Sequence, residues 1–140
     1  MSDMSEPITI STRIARPVAH VWACWTAPEH IVHWNAASDD WHCPKAENDL
    51  REGGAFSYTM AARDGSFSFD FAGTHTAVVP IQRIASTLGD GRKMEVTFAA
   101  DGDGTLLTES FDPEDKNPRE MQRSGWQAIL DRFKSYAGNC

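Results

Sequence analysis

The segment Phe56–Val79 reads FSYTMAARDGSFSFDFAGTHTAVV, and its period is two. Phe56, Tyr58, Met60 and Ala62 fall on one side; Ser57, Thr59, Ala61 and Arg63 fall on the other. Such alternation marks a half-buried strand. Asp64-Gly65 interrupts it with a dipeptide that favours the tight turn of a hairpin. On the return, Phe67, Phe69, Phe71, Gly73, His75, Ala77 and Val79 share one face, opposite Ser68, Asp70, Ala72, Thr74, Thr76 and Val78. Pro80 then ends or bends the strand, because it has no N–H to give to a central ladder.

The pattern repeats toward the C-terminus. A shorter strand is expected over Ile81–Leu88, followed by a turn at Gly89-Asp90-Gly91. Met94, Val96 and Phe98 alternate with Lys93, Glu95 and Thr97, and Asp101–Gly104 turns the chain again. Leu107, Glu109 and Phe111 then share a face. After Asp112-Pro113 and Asn117-Pro118 the period changes to that of a helix. Met121, Gly125, Trp126, Ile129, Leu130, Phe133, Tyr136 and Ala137 make one broad apolar stripe. At 1.5 Å per residue, a helix over Arg119–Ala137 is about 28 Å long. Gly138 is expected to stop it.

Toward the N-terminus, Gly53-Gly54 marks a place where a side chain would obstruct the backbone. Asn48–Arg51 is expected as a short strand leading into it. Asn35–Asn48 shows no period and is expected as a long loop that is functional or packed as a lid. Pro28 opens a short helix through Ile31, Val32 and Trp34, with Thr26 or Ala27 near its cap. Pro17 opens another, whose apolar face is Val18, Val21, Trp22 and Trp25. Ile8, Ile10, Thr12 and Ile14 alternate as a first strand, and Met1–Glu6 is expected to be mobile.

Composition narrows the function. The chain has 140 residues, 41% of them hydrophobic and 24% charged, and a formal charge of -7. This is the profile of one globular domain spanning 1–140, with an ordered core of about 7–138. The acidic balance disfavours nucleic acid and anionic membranes as partners. No apolar run approaches the roughly 20 residues of a membrane helix, and no secretory signal is seen. Cys24, Cys43 and Cys140 form no CxxC or closed framework, and read as reduced thiols of a cytoplasmic protein. A Cys24–Cys43 disulfide is the alternative, and needs Cα atoms within about 7 Å.

A meander of antiparallel strands must cover one face, and the long terminal helix is the one element able to do it. The architecture expected is therefore α+β: a strongly curved antiparallel sheet wrapped around that helix, with two short helices after the first strand. The inward rings are Phe56, Tyr58, Phe69, Phe71, Phe98, Phe111, Trp126 and Phe133. Two outcomes stay open. Either the rings fill the interior, or they line a pocket for an apolar or aromatic molecule.

Several pieces of sequence carry a resemblance. They are Pro17, Val21-Trp22, Thr26, Pro28-Glu29 and Trp34; then Asp49-Leu50-Arg51, Gly53-Gly54, Phe56, Asp64-Gly65, Phe71 and Gly73; and finally Met121, Gly125-Trp126, Leu130-Asp131, Phe133 and Tyr136. In this order and spacing the chain resembles small bacterial single-domain members of the START-like, Bet v 1-like superfamily. The branch is the one named after the C-terminal domain of the activator of the Hsp90 ATPase. The resemblance implies a helix-grip fold and, as in many members, a hydrophobic cavity. Relatives include lipid and hormone carriers, aromatases and cyclases, and a co-chaperone domain. The co-chaperone has an additional N-terminal domain not found in this sequence, so activation of an Hsp90-type chaperone is not expected.

The residues expected to contact a ligand are Trp34, Trp41, Phe56, Tyr58, Phe69, Phe71, His75, Phe98, Glu109, Trp126 and Leu130. Trp34 and Trp41 flank the long loop and either form a pocket mouth or cover the core. By alternation His75 and Glu109 face inward, where a polar group needs a partner and a carboxyl is paired or shifted upward. With Tyr58 they would orient a ligand or exchange protons with it, unless a twist or bulge carries them to solvent. His30, His33, Asp39, Asp40, His42 and Cys43 are numerous enough for a metal but lack zinc spacing, so no metal is expected. Cys43 is a nucleophile only if its thiol pKa is low. Gly53-Gly54 and Gly102–Gly104 lack a phosphate-loop context, and Ser66, Ser68 and Ser110 have no triad framework. No cofactor is expected.

The leading expectation is binding of a small hydrophobic molecule between sheet and helix. The alternatives are a cyclase, dehydratase or isomerase acting on an enclosed hydrophobic substrate, and a protein-binding, co-chaperone-like module. Edge strands and a helix face both offer surfaces for a homodimer.

Overall fold

The computed structural model describes residues 6–140, so the mobility expected of Met1–Glu6 falls, apart from Glu6, outside the described residues. The elements run β1 (Ile8–Ile14), α1 (Val18–Thr26), α2 (Pro28–Trp34), β2 (Trp41–Asn48), β3 (Ala55–Ala62), β4 (Ser68–Val79), β5 (Arg83–Leu88), β6 (Lys93–Asp101), β7 (Gly104–Phe111) and α3 (Arg119–Asn139). The strands form one antiparallel sheet in the order β1-β7-β6-β5-β4-β3-β2. Six strands are a plain meander. β1 closes the far side by pairing with β7, and α1 and α2 occupy the crossing from β1 to β2. The curved sheet grips α3, as the alternation and the helical stripe together require.

Register explains which side chains face α3. Phe56, Tyr58 and Met60 of β3 lie opposite Gly73, Phe71 and Phe69 of β4. Across the next pair His75 lies opposite Ser86. Glu109 of β7 stands between Ile10 of β1 and Val96 of β6. The core lies at the other end of the grip. Leu130, Phe133 and Ala137 of α3 are fully buried with Ile8, Val21, Ile31 and Leu107. Trp25 and Trp34 both meet the Phe133 ring in T-shaped contacts, at 4.9 and 4.8 Å between centroids.

The structure corrects five expectations. The supposed loop over Asn35–Asn48 contains β2, an edge strand paired with β3. Its alternation is hidden because the register shifts between His42 and Lys45, around Pro44. An edge position tolerates a residue without an N–H. Asn48 therefore ends a strand, and Asp49–Gly54 is a turn rather than the start of one. In β4 the register shifts between His75 and Ala77, so that Val78, not Ala77 or Val79, lies opposite Ile84. β5 begins at Arg83, after Ile81 takes a φ of 66°. Finally, α3 continues through Gly138 to Asn139.

Gly73 is fixed by contact. A Cβ built there would lie 2.5 Å from the Thr87 carbonyl oxygen and 2.9 Å from the Phe56 ring. The ring tip can move, but the neighbouring backbone cannot without disturbing the β4–β5 ladder. Gly73→Ala is expected to lower stability by about 1–3 kcal/mol, the usual cost of overpacking. Urea unfolding of the two proteins measures it.

Candidate functional site

α3 does not cover the whole inner face of the sheet. α3 packs along β1 and on α1 and α2. Its Trp126 ring stacks on Phe111 of β7 at 3.7 Å and meets Phe71 of β4 edge-on at 5.8 Å. Trp126 thus acts as a strut. Beside it a space of about 370 Å³ remains between sheet and helix.

Eight of the eleven expected residues line that space: Trp34, Phe56, Tyr58, Phe69, Phe71, His75, Glu109 and Trp126. Phe69 is 44% exposed and Met121 60%, so these two mark its mouth. Trp41, Phe98 and Leu130 do not line it. Trp41 lies at the sheet edge, meeting Phe67 and Phe69 edge-on. Phe98 is buried under α1, edge-on to Trp22 and Trp25. Leu130 is completely buried in the core. Helical and strand alternation identify the inward face but not the position along it. Phe98 and Leu130 share the inward side with the lining set but belong to the core, whereas Trp41 stands beside the mouth, against Phe69.

His75 is buried, and both of its nitrogens are occupied. Nε2 lies 2.7 Å from Asn48 Oδ1, and Nδ1 lies 3.0 Å from Ser86 Oγ. Asn48 Nδ2 donates to the Thr26 carbonyl, which fixes the amide so that its oxygen faces the imidazole. The network therefore assigns the Nε2–H tautomer, with Ser86 donating to Nδ1. Burial holds His75 below the ordinary histidine range, against the pull of Asp49. Phe56 stacks on the ring at 5.0 Å. The imidazole is a neutral wall of the space, tied to β2 and β5.

Glu109 differs. It is 5% exposed, and burial alone pushes its carboxyl up to about 8. Among the described residues it has neither a hydrogen-bond partner nor an ion-pair partner. Burial likewise pushes the Tyr58 hydroxyl upward, helped by Cys43, and that hydroxyl is also without a partner among the described residues. At neutral pH the wall thus offers a protonated carboxyl and a phenol, both able to donate.

Sequence reading missed Asn48, Ser86 and Gln122. A serine inside the alternation of β5 was a readable signal for Ser86. The register shift in β2 hid Asn48. Gln122 interrupts the apolar stripe and is buried where Met121 is exposed. Its amide donates to the carbonyls of Glu114 and Asn117 and accepts from the Glu114 N–H, which holds the mouth segment before α3.

The remaining candidates do not assemble. His30 Nδ1 lies 2.6 Å from the Tyr136 hydroxyl, His33 stacks on the Tyr136 ring, and Asp39 pairs with Arg132. Burial pushes the Cys43 thiol up, so it is no activated nucleophile. All three cysteines carry free thiols. Among the described residues, no helix is long and apolar enough to cross a membrane.

The comparisons agree with the geometry. The family model described as "Activator of Hsp90 ATPase homolog 1-like protein" matches residues 15–138. The solution structure of an AHSA1-like protein from Aeromonas hydrophila is 44% identical, with a TM-score of 0.85, over 92% of this chain and 91% of that one. The solution structure of Chr148 from Cytophaga hutchinsonii is 52% identical, with a TM-score of 0.82, over 94% and 92%. Protein CV1439 from Chromobacterium violaceum shares the fold, at a TM-score of 0.85 and 23% identity, over 96% and 99%. No curated protein matches the chain. With residues 15–138 matched and two relatives above 40% identity, the chain belongs to the family of activator of Hsp90 ATPase homolog 1-like proteins.

Proposed function

We propose that this protein binds a small apolar or aromatic molecule carrying a hydrogen-bond acceptor, in the space between sheet and α3. One observation carries the reading: a space of about 370 Å³, walled largely by aromatic and aliphatic side chains, contains two donors that have no partner among the described residues. That volume falls within the range of about 300–1,000 Å³ usual for ligand pockets, which pair an apolar wall with a few polar groups. The rings would supply most of the affinity; Tyr58 and protonated Glu109 would set the orientation. His75, with both nitrogens engaged, shapes the wall.

Gly125 offers the test. It lines the space, and a Cβ built on it meets nothing within 4 Å. Gly125→Leu would occupy the space, and would also relieve the helix of a glycine that costs about 0.8–1 kcal/mol relative to good helix formers. Native mass spectrometry of freshly purified protein, followed by extraction, should show a small-molecule adduct on the natural chain and none on the folded variant. An adduct kept by Gly125→Leu would place the molecule elsewhere and overturn the reading.

A second reading is an enzyme of the cyclase, dehydratase or isomerase type. The raised Glu109 carboxyl favours it, since a group poised near neutral pH suits proton transfer. Turnover lost in Glu109→Gln with binding retained would separate catalysis from carriage.

A further inference from the structure

Where α1 meets the end of α3, three side chains with metal-ligating atoms come together, and none of them lines the ligand space. His20 and Cys24 stand one turn apart on α1. Cys140 follows the last turn of α3, with its N–H bonded to the Tyr136 carbonyl. The Cys24 and Cys140 sulfurs are 3.4 Å apart. His20 Nε2 is 3.6 Å from the first and 3.5 Å from the second. The three donor atoms form a nearly equilateral triangle, with Cys24 buried, His20 half-buried and Cys140 exposed. None of these residues belongs to the His30–Cys43 set considered from the sequence.

We propose that His20, Cys24 and Cys140 form a binding site for a tetrahedral thiophilic cation of the zinc class. A zinc ion bonded at about 2.3 Å to sulfur and about 2.0 Å to imidazole nitrogen holds its donors about 3.8 Å apart for two sulfurs and about 3.5 Å for sulfur and nitrogen. Both nitrogen–sulfur edges already have that length. The sulfur–sulfur edge needs to open by only a few tenths of an ångström, and the exposed Cys140 can supply that movement. Thiolate and imidazole donors select zinc over magnesium or calcium, which take oxygen.

The hydrogen bonds among these groups explain how the site loads. His20 Nε2 lies 2.9 Å from the Ala137 carbonyl and donates to it, and the two thiols face each other. On binding Zn²⁺, two S–H bonds break and two Zn–S bonds form. Both protons leave to solvent, and no electron moves. The imidazole stays neutral by carrying its proton on Nδ1. Three protein donors leave a fourth position for water or an external ligand. The ion would tie the end of α3 to α1 and so fix the helix that roofs the ligand space.

The test uses the full chain, kept reduced by a phosphine. Zinc is titrated in competition with a chromophoric chelator, and cobalt(II) is added to a second sample as a spectroscopic probe. The expected result is one zinc ion per chain with submicromolar affinity, release of about two protons per ion, and a raised melting temperature. Cobalt should give tetrahedral d–d bands with a thiolate charge-transfer band. Cys140→Ser, which alters only an exposed position, should weaken zinc binding at least about tenfold, and His20→Gln similarly. His33→Gln should leave it unchanged. Failure of the natural chain to bind zinc, a cobalt spectrum without thiolate charge transfer, or equal affinity in Cys140→Ser would each overturn the proposal.

Discussion

Glu109→Gln should raise stability at alkaline pH by several kcal/mol and leave it nearly unchanged near pH 4. The carboxyl ionises in the unfolded chain at its ordinary value of 4.5, whereas burial holds it protonated up to about 8 in the folded protein. Between those values the native state binds one more proton than the unfolded state. Stability must then fall as pH rises, by about 1.4 kcal/mol per pH unit. Whatever this carboxyl contributes is fully present below pH 4.5 and lost by about pH 8. Over the whole window the loss is about 4–5 kcal/mol. Glutamine keeps the shape and has no proton to lose. The other carboxylates are common to both proteins and cancel in the difference. Urea unfolding at a series of pH values should give a difference between variant and natural chain that opens through this window and levels off above it. Parallel curves would mean that Glu109 is solvated or paired.

The same property bears on ligand chemistry. Below about pH 8 the group donates a hydrogen bond; above it, the group becomes an acceptor that repels anions. A ligand whose acceptor atom meets Glu109 should therefore bind more weakly as pH passes that value, and this weakening should vanish in Glu109→Gln.

How much of this was legible in the sequence varied with the period of each element. Phe56–Val79 gives the hairpin, and its alternation places Phe56, Tyr58, Phe71 and His75 on the concave side as observed. Glu109 could be read as an inward carboxyl because β7 has no register shift. β2 was not readable. Pro44 and the shift beside it break the alternation that would have announced a strand, so Asn48, the residue that fixes the His75 tautomer, was read as the start of another element. Pairing across the sheet is a long-range property. Nothing within β4 says that His75 will face Ser86. The helical stripe shows the opposite limit, because it was readable as a stripe but not as a gradient. Leu130 and Trp126 are four residues apart on one face, yet one is locked in the core and the other braces an open space. What separates them is what each meets: Leu130 is packed with the fully buried core, whereas Trp126 borders the space and meets Phe71 and Phe111.

That gradient makes an energetic prediction. Phe133→Ala should cost about 3–5 kcal/mol, the range for deleting a buried ring whose surroundings cannot collapse. Its ring is fully buried and meets two indoles in T-shaped contacts, Trp25 and Trp34, which stack on each other at 4.9 Å. These indoles are fixed in turn: Trp34 Nε1 donates to the Cys24 carbonyl, 2.9 Å away. The helices that would have to move in to fill the gap are therefore tied, and the cavity persists. For a chain of this length the loss should lower the melting temperature by about 10 °C or more. Met121→Ala, on the same stripe, should change stability by less than about 0.5 kcal/mol, because the side chain it shortens is 60% exposed at the mouth of the space. Thermal unfolding of the pair measures whether α3 is anchored at its C-terminal half alone. Similar losses in both variants would mean that the first turns of α3 are packed as tightly as the last, and the space beneath them could not hold a ligand.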